Sequence, residues 1–69
     1  MEEIIYVVSG TAEQWVDKQK RTLTAGDSAH IPKNVVHGTY NAGTDTLVFL
    51  AILSLGWIYA YRERVLEWQ

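Results

Sequence analysis

The chain has no cysteine among its 69 residues, so neither a disulfide framework nor a thiolate metal site is available to it. Proline occurs once, at Pro32, so long polyproline or proline-rich linker segments are excluded. Basic charge is scarce: six Lys and Arg stand against eight Asp and Glu, a formal net charge of -2, which supplies no electrostatic field for nucleic acid. Lys18, Lys20 and Arg21 do cluster, but at a polar turn and without the interleaved rings of a single-strand binder, and they read as a solvated group. Long hydrophobic runs are missing too. The most apolar stretch, 47–60, has Ser54 and Gly56 within it and is shorter than the ~20 residues of a spanning helix. The first residues, Met1-Glu2-Glu3, lack the positive region of a signal peptide, and the expectation is a soluble, cytoplasmic protein that contacts neither membrane nor nucleic acid.

What the chain does have is apolar mass, 48% of its residues, in a length that buries only about 60% of its unfolded surface. A single small domain over 1–69, in need of an added staple or partner, is expected. Short strands alternate with turn signals at intervals of about 8–12 residues, the pattern of a barrel or sandwich. The run 4–8 (IIYVV) is β-branched and aromatic. Ser9-Gly10 turns the chain into a second strand, 11–16. Residues 17–20 turn it again before a short strand at 21–24, and Ala25-Gly26-Asp27 precedes a strand at 28–31 that stops at Pro32. Lys33-Asn34 turns into a strand at 35–41 carrying His37 and Tyr40. A further turn at 42–45 leads to 46–53, apolar on both faces. Beyond it, Trp57, Tyr61, Val65 and Trp68 are spaced by four, four and three, which predicts a helix over 57–67 with Ser54 able to cap its start. A strand continued through Trp57-Ile58-Tyr59 is the alternative.

The segment from Gly26 to Asn41, GDSAHIPKNVVHGTYN, is a glycine turn, a four-residue strand, a proline stop, an asparagine turn and a strand that opens on a histidine. It resembles the second conserved motif of the cupin family, G-x5-P-x-G-x2-H-x3-N. Gly26, Pro32, His37 and Asn41 match, and Asn34 replaces a glycine with one of the few other residues that tolerate positive φ. The end of the first motif, E-x6-G, fits Glu3 and Gly10, while the H-x-H pair that precedes it has no place in this sequence. The resemblance runs from residue 3 to about 54. It implies an all-β fold: a small antiparallel jelly-roll, cupin-like barrel over 3–54 that lacks the usual N-terminal strands; the short C-terminal helix read from the periodicity follows it within a tail at 56–68.

The resemblance also implies a divalent transition metal or a small organic ligand held in the barrel through His37. Of the family's ligands, Glu3 and His37 are retained. His30, on the preceding strand, joins them if its ring points inward; otherwise it is a surface or interface histidine with one nitrogen hydrogen-bonded. Tyr6, Trp15, Tyr40 and Phe49 are candidate pocket-lining residues, although rings at such positions more often pack a core. Two functional readings stay open. One is a metal- or ligand-binding cupin whose metal assists oxygenation or isomerisation of a small acid or sugar. The other is a non-catalytic, metal-free cupin serving as a structural or ligand-binding dimer, and the loss of the H-x-H pair favours it. No G-x-S-x-G turn supports a hydrolytic triad around Ser28 or Ser54, and no phosphate-cradling loop is present. Because strand 46–53 asks for cover on both sides, a two-fold homodimer is expected, with the Trp-rich tail laid across the partner or the barrel's open end.

Overall fold

The computed structural model describes residues 2–54 and 56–63. Seven strands follow in order: β1 (Glu3–Ser9), β2 (Thr11–Val16), β3 (Gln19–Thr24), β4 (Ser28–Ile31), β5 (His37–Asn41), β6 (Leu47–Leu53) and β7 (Ile58–Glu63). They form two antiparallel sheets, one in the order β4-β1-β6-β7 and the other β3-β2-β5. Apart from the two hairpins, β2–β3 and β6–β7, each connection carries the chain from one sheet to the other.

The period-two alternation decides which side chains are enclosed. From the four-stranded sheet, Ile5, Val7, Ile31, Leu47, Phe49 and Ala51 turn inward; from the three-stranded sheet, Ala12 and Leu23 meet them, and these eight make the core. Register keeps like faces together: Ile5 stands opposite Ala29 and Ala51, Val7 opposite Phe49, and Ala12 opposite Leu23 and Asn41.

The corners are held by local chemistry. At Gly10 (φ +87°) the chain leaves one sheet for the other, and an added Cβ would lie 2.7 Å from the Thr46 carbonyl oxygen. At the next crossing the Asp27 carboxylate accepts from the Thr24 N–H at 2.8 Å and from the Thr24 hydroxyl at 3.2 Å. The Val7 N–H donates to the Asp27 carbonyl, and the Gly26 N–H donates to the Val7 carbonyl. Asn34 adopts φ +63°, the left-handed geometry that its position in the motif requires. Asn41 closes the turn after β5: its Nδ2 donates to the Asp45 carbonyl, and its Oδ1 accepts from the Gly43 N–H.

The helix expected over 57–67 is not formed where the structure describes this segment. Residues 58–63 are a strand, paired with β6 from Ile52↔Ile58 to Leu47↔Glu63, and 64–67 lie outside the described residues. Ser54 caps nothing; it sits in the hairpin turn and its N–H donates to the Glu2 carbonyl. Trp57, Tyr59 and Tyr61 are spaced by two as well as by four, so the aromatic pattern satisfied both periods. The unpaired ladder groups of β6 decided between them, because a strand edge carries N–H and C=O groups that another strand satisfies. Tyr61 stacks on Phe49 across that ladder, with ring centroids 5.1 Å apart. β3 also begins earlier than expected, at Gln19, since only Asp17 and Lys18 form the turn.

Candidate functional site

His37 opens β5 opposite Val16, and Glu3 opens β1 between Ile31 and Leu53. Both belong to inward-facing rows, one on each sheet. Their side chains meet between the sheets, with His37 Nε2 2.6 Å from Glu3 Oε1. The other ring nitrogen, Nδ1, is 3.0 Å from the Val35 carbonyl oxygen. A carbonyl can only accept, so Nδ1 carries hydrogen and donates to it. The His37–Glu3 contact ties the two sheets together across one end of the sandwich. Its side chains are part-exposed, 36% for His37 and 17% for Glu3.

A cavity of about 300 Å³ opens between β2, β3 and β4. Its apolar lining comes from Val16, Leu23 and Ala29, and its polar lining from Gln14, Gln19, Arg21, Ser28 and His30. Gln14 is 1% exposed and bonded at both ends of its amide: its Nε2 donates to the Trp15 carbonyl at 3.0 Å and its Oε1 accepts from the Thr39 hydroxyl at 2.5 Å. That fixed amide forms a polar floor under the cavity mouth. A second, shallower hollow of about 110 Å³ lies beside it, between Glu2, Glu3, Ile4, His30 and the end of β6.

The sequence matches the family model described as "Cupin domain" over residues 1–53. The chain belongs to the cupin family. No curated protein and no solved structure matches it. Cupin domains often bind a metal or a small ligand within the fold, and the residues present here can be tested against both.

For a metal, the cupin's two retained donors are Glu3 and His37, and they are bonded to each other. Two ligands of one tetrahedral ion with bonds of ~2.0–2.1 Å stand roughly 3.3 Å apart, further than the 2.6 Å that separates these atoms. No group of three or more His, Asp or Glu side chains converges among the described residues. His30 does not complete the set. In β4 it alternates with the inward Ala29 and Ile31, stands opposite the outward Ile4, and points its Nε2 to Glu2 Oε2 at 3.4 Å. The donor set among the described residues therefore does not fit a resident divalent ion.

For a ligand, none of the four rings singled out in the sequence lines the 300 Å³ cavity. Tyr6 lies on the outer face of the four-stranded sheet, Tyr40 on the outer face of the other, and Phe49 is core. Trp15 also faces outward, where its Nε1 donates to Glu13 Oε1 at 2.7 Å and Lys20 lies over its ring. The residues that do line the cavity, Gln14, Gln19, Arg21 and Ser28 among them, were not legible as a site. The signal was present in β3: Gln19, Arg21 and Leu23 share a face, and buried Leu23 shows that this face is the inner one.

Proposed function

We propose that this cupin is a non-catalytic module that binds a small organic ligand in the cavity between β2, β3 and β4, without a resident metal, and that it does so as a two-fold homodimer. The observation that carries the reading is the direct bond between His37 and Glu3. It uses both retained donors to tie the sheets, and leaves the enclosed polar surface of the cavity as the place where chemistry can be recognised. A volume of about 300 Å³ stands at the small end of the ~300–1,000 Å³ usual for ligand sites.

The dimer is supported by the outer face of the four-stranded sheet. Ile4, Tyr6, Val8 and Ile58 are exposed there, around the half-buried Val48, Leu50 and Ile52. The outer face of the other sheet instead carries Glu13, Lys20 and Thr22 beside Trp15. A contiguous apolar sheet face of this kind marks an interaction surface, and a flat face is self-complementary under a two-fold axis.

The reading is tested by titrating the purified chain with zinc, nickel, copper and manganese, followed by calorimetry and elemental analysis. No ion should bind more tightly than about 1 µM, and His37→Ala should leave whatever weak binding remains unchanged. Stoichiometric metal that His37→Ala abolishes would restore the metal-centred reading, with further donors drawn from a second copy.

A further inference from the structure

The 300 Å³ cavity has a charge character that the alternation of β3 creates. Arg21 stands opposite Gln14 in the β2–β3 ladder, on the face that buries Leu23 and Ala12, so its guanidinium is directed to the inner side of the sheet while Lys20 goes outward onto Trp15. Arg21 lines the cavity and takes part in no ion pair among the described residues. Among the described residues no Asp or Glu lines the cavity, whose remaining polar groups are the Gln14 and Gln19 amides, with Ser28 and His30 of β4 at the rim. Glu3 is paired with His37 and Glu2 with His30, and the Asp27 carboxylate accepts from Thr24.

We infer that the cavity is a receptor for a small organic carboxylate, whose anionic end is held by the Arg21 guanidinium and whose apolar body lies over Val16, Leu23 and Ala29. The inference rests on the ligand-binding reading and adds the chemical class. A guanidinium without an ion-pair partner among the described residues presents a planar fork of donors matched to a carboxylate, and charge-assisted bonds of this kind are the strong ones. Gln19, on the same inner row of β3 as Arg21, supplies a neutral donor to the same end. A cavity at this small volume suits a monoacid with a short branched or aromatic body rather than a sugar, whose ring hydroxyls would face the apolar side chains without partners.

The test uses isovalerate and benzoate, each against its neutral amide, titrated into the full chain at low salt and read by amide chemical shifts at Leu23, Ser28 and Ala29. Each acid should bind about tenfold more tightly than its amide, the scale of one bond to a charged group. Arg21→Gln should bring acid and amide to the same affinity, and Arg21→Lys should keep part of the preference. Arg21 is exposed at the cavity mouth on an edge strand, so Arg21→Gln should fold as the parent does, which its unperturbed spectrum at Val7 and Phe49 would verify. Equal binding of acid and amide to the parent chain, or an acid preference that survives Arg21→Gln, overturns the carboxylate assignment while leaving a neutral-ligand site standing. Absence of binding by all four probes overturns both the assignment and the ligand-binding reading.

Discussion

Single residues decide two features of this molecule for separate physical reasons. Gly10 is required twice over: its φ of +87° lies where a side chain is strained, and a Cβ there would press on backbone, the Thr46 carbonyl, which cannot rotate away. Gly10→Ala should therefore destabilise the fold by more than about 1 kcal/mol, measurable as a lowered urea midpoint with an unchanged m-value. His37 is decided by its partners. Placed at the start of β5 by the turn through Asn34, it has the Glu3 carboxylate at one ring nitrogen and the Val35 carbonyl at the other. The motif spacing pointed His37 inward, and Glu3 entered as a retained family ligand whose side chain could equally have been solvated. That they spend themselves on each other was not legible, because 34 positions separate them in sequence and only the facing of two sheets sets their distance.

Among the elements, β6 and β7 carry the most information. β6 is apolar at all of its positions, which signals a strand covered on both faces but does not say by what. Its flanks turn out to be β1 and β7. The identity of β7 was misread because a spacing of two contained a spacing of four, and a helix needs no partner while a strand does. What tipped the balance was the neighbouring ladder, a tertiary fact. The Tyr61–Phe49 stack reports this pairing directly. Tyr61→Ala should cost roughly 1 kcal/mol and lower the melting temperature by about 4–8 °C. It should also weaken amide protection along 58–63 before that of β1. Equal loss of protection throughout, with melting unchanged, would mean that the stack contributes nothing. β3 carries the corresponding lesson for function. Three basic residues in four positions looked like one solvated patch, yet strand alternation sends Lys20 outward and Arg21 inward.

For the whole molecule, the sheets are unequal and so are their outer faces. The four-stranded sheet shows water Ile4, Tyr6, Val8 and Ile58, while the three-stranded sheet shows it mainly charged and hydroxyl side chains. Among the described residues no helix is long and apolar enough to cross a membrane. A second copy is the cover we propose, and light scattering at micromolar concentration should give twice the chain mass. Ile4→Lys, on that face and 41% exposed, should yield a folded monomer, because it changes nothing in the core. A monomeric parent chain would remove the dimer from the proposal.

By itself the sequence determined the strand class, most strand boundaries and the turn chemistry, since these depend on periods of two and on residues such as Gly26, Pro32 and Asn34 whose backbone preferences are local. It also determined the family, through a motif whose spacing is a record of those turns. The tertiary structure alone decided that β7 is a strand, that His30 faces outward, that His37 and Glu3 close on each other, and that Arg21 lines a cavity with no carboxylate among its described residues. Each of these depends on which surfaces are brought opposite one another, and pairing between distant segments is a property of the assembled sheets, not of any window of the chain.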